Sequence, residues 1–125
     1  MEQREQVIKQ YIAAYNSFDV EGMLKDLDEN INFENISGGE VNLSITGISA
    51  FREQAEKAKA FFVSRKQTIT AFRHDANQTE IDIDYHAVLA IDFSDTLKKG
   101  DTLNMKGKSV FNFLHSKITS ITDVS

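Results

Sequence analysis

This sequence contains no proline, no cysteine and no tryptophan, and only 6 of its 125 residues are glycine. Without cysteine there can be no disulfide, no thiol nucleophile and no thiolate metal ligand. The three histidines, His74, His86 and His115, stand far apart, and none has a second histidine at ligand spacing. No metal site and no bound cofactor are therefore expected. Without proline, turns must be marked by glycine, Asn and Asp. No apolar run reaches the length of a membrane span. The N-terminus, MEQREQVIKQ, is charged and lacks the apolar centre of a signal peptide, so a cytoplasmic location and no membrane partner are expected. Basic residues are the minority, 14 Lys and Arg against 19 Asp and Glu, for a net charge of -5. That balance does not suit nucleic-acid binding, which needs clustered cations.

What is present is a normal globular mix, 41% hydrophobic and 26% charged, in a chain long enough to bury a core as one domain spanning 1–125. The final quarter, from Asp101 to Ser125, organises the rest. Met105, Ser109, Phe111 and Phe113 share one face of an extended arm, and Asn104, Lys106, Lys108 and Asn112 share the other. This alternation marks a strand with one buried and one wet face. His115-Ser116 turns the chain, and a second strand returns from Lys117. Two strands alone are marginal in water, so the apolar face needs a cover.

Earlier in the chain, Val7, Ile8, Tyr11, Ile12 and Tyr15 form a stripe that predicts a helix over 2–16. Asp19 is placed to cap a second, short helix with Val20, Met23, Leu24 and Leu27 on its apolar face. A strand over 31–37, a Gly38-Gly39 turn and a strand over 41–46 follow. Gly47 leads into a third helix with Ile48, Phe51, Ala55, Ala58 and Phe62 as its buried stripe. Strands are then predicted over 67–74 and 79–93, with Ile81, Ile83, Tyr85, Ala87, Leu89 and Ile91 on one face. Helices early and a long antiparallel meander late argue for an α+β fold with helices on one side of a curved sheet.

This order of elements, with the stretches Tyr11–Asp19, Asn32-Phe33-Glu34-Asn35, Gly47–Phe51 and Gly107–Phe113 running on to Asp123, resembles the NTF2-like superfamily, in particular its SnoaL-like and ketosteroid-isomerase-like branch. The resemblance spans nearly the whole chain. It implies a cone-shaped, cystatin-like architecture: a strongly curved, mostly antiparallel sheet with three helices closing a pocket. It also implies a homodimer formed through the sheet. It implies no single activity, because one fold serves many chemistries. Ketosteroid isomerase pairs an Asp base with an oxyanion hole of a Tyr and a protonated Asp, a case that is already well described. The resemblance carries the tyrosine onto Tyr11, the base onto Asn35 and the second acid onto Ser109. An amide cannot take up a proton near neutral pH. Isomerase chemistry is therefore not expected, although the pocket is.

Asp123 is the carboxylate of most interest. A plain two-residue turn at His115-Ser116 would point it outward. The three-residue spacing of Ile118 and Ile121 breaks the alternation, and a β-bulge near Thr119-Ser120 would bring both isoleucines, and Asp123 with them, to the inner face. Buried there, the carboxyl would have a raised pKa and could act as acid or base, with Tyr11 as hydrogen-bond donor. The remaining pocket candidates are Tyr15, Phe33, Asn35, Phe51, Tyr85, Met105, Ser109 and Phe111. Asp82-x-Asp84 lacks the glycine and terminal glutamate of a calcium loop, Arg65-Lys66 reads as a solvated charge pair, and His74 reads as a surface or turn residue. The expected function is binding of a small lipophilic molecule, with proton transfer, hydration or dehydration as candidate chemistry. The alternative is a dimeric assembly module whose pocket is filled by aromatics. In either case the expected homodimer contact is the outer face of the late strands, around Val88, Ala90, Val110 and Leu114.

Overall fold

The structure, a computed structural model, describes residues 2–125. Among them are three α-helices, α1 (Glu2–Asn16), α2 (Val20–Leu24) and α3 (Ile48–Ala58), the last continued by one 3-10 turn. The strands are β1 (Leu27–Ser37), β2 (Glu40–Thr46), β3 (Phe62–Asp75), β4 (Gln78–Leu89), β5 (Thr102–Leu114) and β6 (Lys117–Val124). They form an open sheet in the order β2-β1-β6-β5-β4-β3. Every neighbouring pair is antiparallel except β1 and β6, which run parallel. The expected α+β architecture is thus observed, with one parallel pair next to the β2 edge.

The local chemistry of the turns sets the hairpins. His115 and Ser116 have φ of 51° and 72°, and Gly38 and Gly39 have φ of 61° and 83°. Two successive residues with positive φ match the right-handed twist of the strands they join. Opposite β5, Ser120 pairs with Asn112 and Ile118 with Phe113, which leaves Thr119 as the extra residue of a bulge. The bulge puts both Ile118 and Ile121 in the core, at 0% and 1% exposure. A second irregularity in β3, between Ile69 and Ala71, shifts its inward face from Arg65, Gln67 and Ile69 to Phe72 and His74. Bulges of this kind bend a sheet. Helix α1 packs on β3, and α3 on β1 and β2. Ile8, Ile12, Phe111 and Ile81 belong to the common core.

The boundaries differ from the sequence reading in four places. Helix α2 stops at Leu24, and Leu27 opens β1 instead of completing the helix. The Ile118 amide donates to the Asp26 carbonyl at 2.8 Å, and Leu27 pairs with Ile118. The sheet therefore captures the chain as soon as α2 ends. Phe62, expected at the end of the α3 stripe, begins β3 and pairs with Leu89. In consequence β3 starts before Gln67. Strand β4 ends at Leu89, not Phe93, and Ile91, expected to face inward, is 37% exposed in the loop that follows. Leu27 and Phe62 are taken by pairing with distant strands, and β4 ends where its partners on β3 and β5 run out.

Candidate functional site

Three neighbouring strands bring one polar row onto the inner face. Asn35 on β1 is the register partner of Asp123 on β6, and Asp123 is the partner of Ser109 on β5. The Ser109 hydroxyl donates to Asp123 Oδ1 at 2.6 Å. Asn35 Nδ2 is turned to Asn42 Oδ1 on β2, at 2.8 Å. The Thr119 bulge is what gives Asp123 this position. One level along lie Phe33, Ile121 and Phe111, again as register partners. The acid therefore sits at the edge of an aromatic and aliphatic layer.

This row forms part of the wall of a cavity of about 380 Å³. Helix α1 contributes Tyr11 and Tyr15 to it, α3 contributes Phe51, and β1 contributes Phe33. Phe33 and Phe51 meet edge to face, with centroids 5.8 Å apart. Phe61, Phe62 and Phe93 form an aromatic cluster at another part of the wall, with centroids 5.6 to 6.5 Å apart.

Three expected pocket residues lie elsewhere. Phe111 is fully buried beneath Tyr11, edge to face at 5.8 Å, and so belongs to the core. Tyr85 and Met105 are register partners farther along β4 and β5, and they border an adjoining depression of about 290 Å³. Met105 is 43% exposed there. Tyr15 borders both spaces, and its hydroxyl bonds that of Tyr85 at 2.9 Å.

Burial sets the electrostatics of the row. The Asp123 carboxyl is pushed up to about 6 by desolvation, which the Ser109 hydrogen bond only partly opposes. Burial also pushes the Tyr11 phenol well up, and the neighbouring Asp123 charge adds to the effect. Tyr15 and Tyr85 are raised by burial as well. All three phenols keep their protons at neutral pH, and one of Tyr15 and Tyr85 spends its proton on the other.

Arg65, read from the sequence as solvated, and Gln67, to which that reading gave no facing, are part of the inner wall. Arg65 is 5% exposed and Gln67 is 8% exposed, and both line the cavity. The Asn16 side chain holds the Gln67 backbone from both sides, accepting from its amide at 2.8 Å and donating to its carbonyl at 3.1 Å. Arg65 was legible only through parity: Arg65, Gln67 and Ile69 alternate with Lys66 and Thr68. That signal is ambiguous while the bulge in β3 is unknown. His74 is also not the surface residue expected. It bonds Glu5 of α1 at 2.7 Å and Thr79 at 2.9 Å, and its ring stacks on Phe72, so it ties α1 to the sheet. His86, on the wet face, bonds Asn104 at 2.8 Å. Among the described residues no three His, Cys, Asp or Glu side chains gather as metal ligands, and no helix is long and apolar enough to cross a membrane.

No family model matches the sequence, and no curated protein matches it. Solved structures do match. A candidate SnoaL-like polyketide cyclase from Jannaschia sp. CCS1 superposes with a TM-score of 0.82 at 7% identity, over 98% of this chain and 84% of that one. An NTF2-like protein of unknown function from Burkholderia pseudomallei K96243 does so with a TM-score of 0.79 at 12% identity, over 98% and 90%. The fold is NTF2-like. A cystatin-fold protein from Novosphingobium aromaticivorans agrees, with a TM-score of 0.74 at 16% identity over 98% and 97%. Identities this low establish architecture alone. Within the NTF2-like fold, the residues carried over to the base and second-acid positions, Asn35 and Ser109, stand on either side of Asp123.

Proposed function

We propose that this NTF2-like protein binds a small, mostly apolar molecule in the cavity and moves a proton on it with Asp123. The observation that carries this reading is a desolvated carboxyl between Asn35 and Ser109 in the wall of an apolar cavity. The volume is in the range of small-molecule sites, which favours this reading over a filled pocket in an assembly module. A carboxyl pushed up to about 6 is ionised at neutral pH yet basic enough to serve as a general base. In the proposed step, Asp123 takes a proton from a carbon next to a carbonyl, and the electron pair moves onto the carbonyl oxygen. The Tyr11 phenol, kept protonated by burial, donates to the resulting enolate, and Asp123 returns the proton. Hydration or dehydration would use the same acid and base. One structural relative is in keeping with a small-molecule ligand: TerC, which superposes with a TM-score of 0.78 at 14% identity over 97% of this chain and 89% of that one, was co-crystallised with polyporic acid.

Two measurements test this. The fluorescence of 2-naphthol should report saturable binding that Ala58→Trp, which fills the cavity from α3, abolishes. Exchange of the α-protons of 2-tetralone with D2O should be accelerated by the protein and not by Asp123→Asn. Lack of saturable naphthol binding removes the pocket reading; binding without exchange removes the acid–base reading alone. We further propose a homodimer through the outer face of β4 and β5. There Val88, Ala90 and Val110 are half-buried in the single chain, Leu114 is exposed, and Asp84 pairs with Lys106 at 2.7 Å.

A further inference from the structure

Arg65 is a cation in an aromatic setting. Its Nε donates to the Tyr15 carbonyl at 2.9 Å, near the C-terminus of α1. Its guanidinium carbon lies 3.7 Å from the Tyr15 ring centroid and 4.5 Å from that of Phe18. It enters none of the ion pairs among the described residues. Its Nη2 is buried and makes no hydrogen bond, and neither does Oε1 of the buried Gln67, two residues along the same face of β3. The Gln67 amide does approach Tyr15, where it helps to hold the phenol down against burial.

A cap on a helix carbonyl uses one of the five N–H donors of a guanidinium. It leaves the planar end of the group unused, and a buried charge without an anion is costly. The stacking rings and the Tyr15 carbonyl also fix the plane of the guanidinium, and the Asn16 clamp fixes the strand that bears it. A rigid, desolvated guanidinium with a donor left unpaired suits an oxyanion, which forms charge-assisted hydrogen bonds with it.

We propose that Arg65 anchors a carboxylate on the ligand of this cavity, so that the ligand is a lipophilic acid. The inference rests on the cavity being a ligand site. It adds a direction to it. The Arg65 and Asp123 charges act on the Tyr11 and Tyr15 phenols with opposite sign, Arg65 lowering them and Asp123 raising them. Arg65 stands on β3 and Asp123 on β6, with β4 and β5 between them, which separates the two ends of the cavity. The carboxylate is held at Arg65, the apolar body runs past the two tyrosines, and the far end meets Asp123.

The test compares 2-naphthoate with 2-naphthol, which share a ring system and differ in the anionic head, at pH 7.5 by fluorescence titration. The wild type should bind naphthoate tighter than naphthol by roughly tenfold, the size expected of a charge-assisted pair. Arg65→Met should bring the ratio of the two affinities to about one or below. Because Arg65 also holds the end of α1, Gln67→Glu serves as a second variant: its carboxylate pairs internally with Arg65 and should collapse the same ratio in a chain shown to be folded by its melting temperature. Equal affinities in the wild type, or a ratio that survives in the folded variants, would mean that Nη2 is merely hydrated and would overturn the anchor while leaving the pocket. Failure of both probes to bind would overturn the anchor together with the pocket.

Discussion

Replacing Asp123 by Asn should stabilise the protein at neutral pH and not in acid. The carboxyl is pushed up to about 6 in the folded state, against about 3.9 in an unfolded chain. Below pH 4 both states carry the proton, and the group contributes nothing. Between pH 4 and 6 the unfolded chain ionises while the folded one holds its proton, so the folded state loses ground as pH rises. Above 6 both are ionised and the penalty levels off. Two units at 1.36 kcal/mol each give a penalty of about 2–3 kcal/mol. Asn keeps the shape, can still meet the Ser109 hydroxyl, and carries no charge to desolvate. Urea denaturation of both proteins at half-unit steps from pH 4 to 8 should show their stability difference growing by that amount in favour of Asn, with most of the change between pH 4 and 6. A difference that stays flat with pH would refute the desolvated carboxyl. If Asp123 is the base, the rate of 2-tetralone exchange should rise through the same folded value near 6, and that rise should vanish in the variant.

Asn35→Asp should place a second carboxyl in register with Asp123; like charges disfavour joint ionisation, so the midpoint of the exchange profile should move up. The wild type should show no appreciable 3-oxo-Δ5-steroid isomerisation in a standard absorbance assay, and strong turnover would mean that the missing carboxylate at Asn35 is no bar to that reaction. Gly22→Ala should destabilise the fold by about 1–2 kcal/mol in denaturant melts despite the better helix propensity of Ala. Its methyl would lie 2.9 Å from the Ala14 Cβ and 2.5 Å from Oδ2 of Asp19, the residue that caps α2. A stabilised variant would show that α1 and α2 can part at no cost. Val110→Glu should give monomers in sedimentation if the outer face of β5 is the dimer contact, because it would bury a charge without a partner; an unchanged sedimentation coefficient for an associating protein would rule out that face.

The inward position of Asp123 was one of two that local arithmetic offered. Ile118 and Ile121 cannot both be buried on a regular strand, and one extra residue resolves the conflict wherever the strand lies. The hairpin turns at Gly38-Gly39 and His115-Ser116, the α1 stripe and the alternation of β5 are likewise properties of short stretches, because period and turn chemistry act over a few residues. The parts that were not readable depend on partners far away in the chain. Leu27 continues the apolar face of α2 until Ile118, 91 residues on, offers it a strand. Phe62 continues the α3 stripe until Leu89 pairs with it. Arg65 beside Lys66 has the composition of a solvated pair. Only the packing of α1 on β3 puts Tyr15 and Phe18 over its guanidinium and leaves one nitrogen facing no partner. Sequence by itself determined the fold class and offered the bulge as one of two placements of Asp123, since these are short-range consequences of which residues must avoid water. Tertiary structure alone decided where strands capture helix ends and which charge is buried, because burial is a property of what packs over a residue and not of the residue.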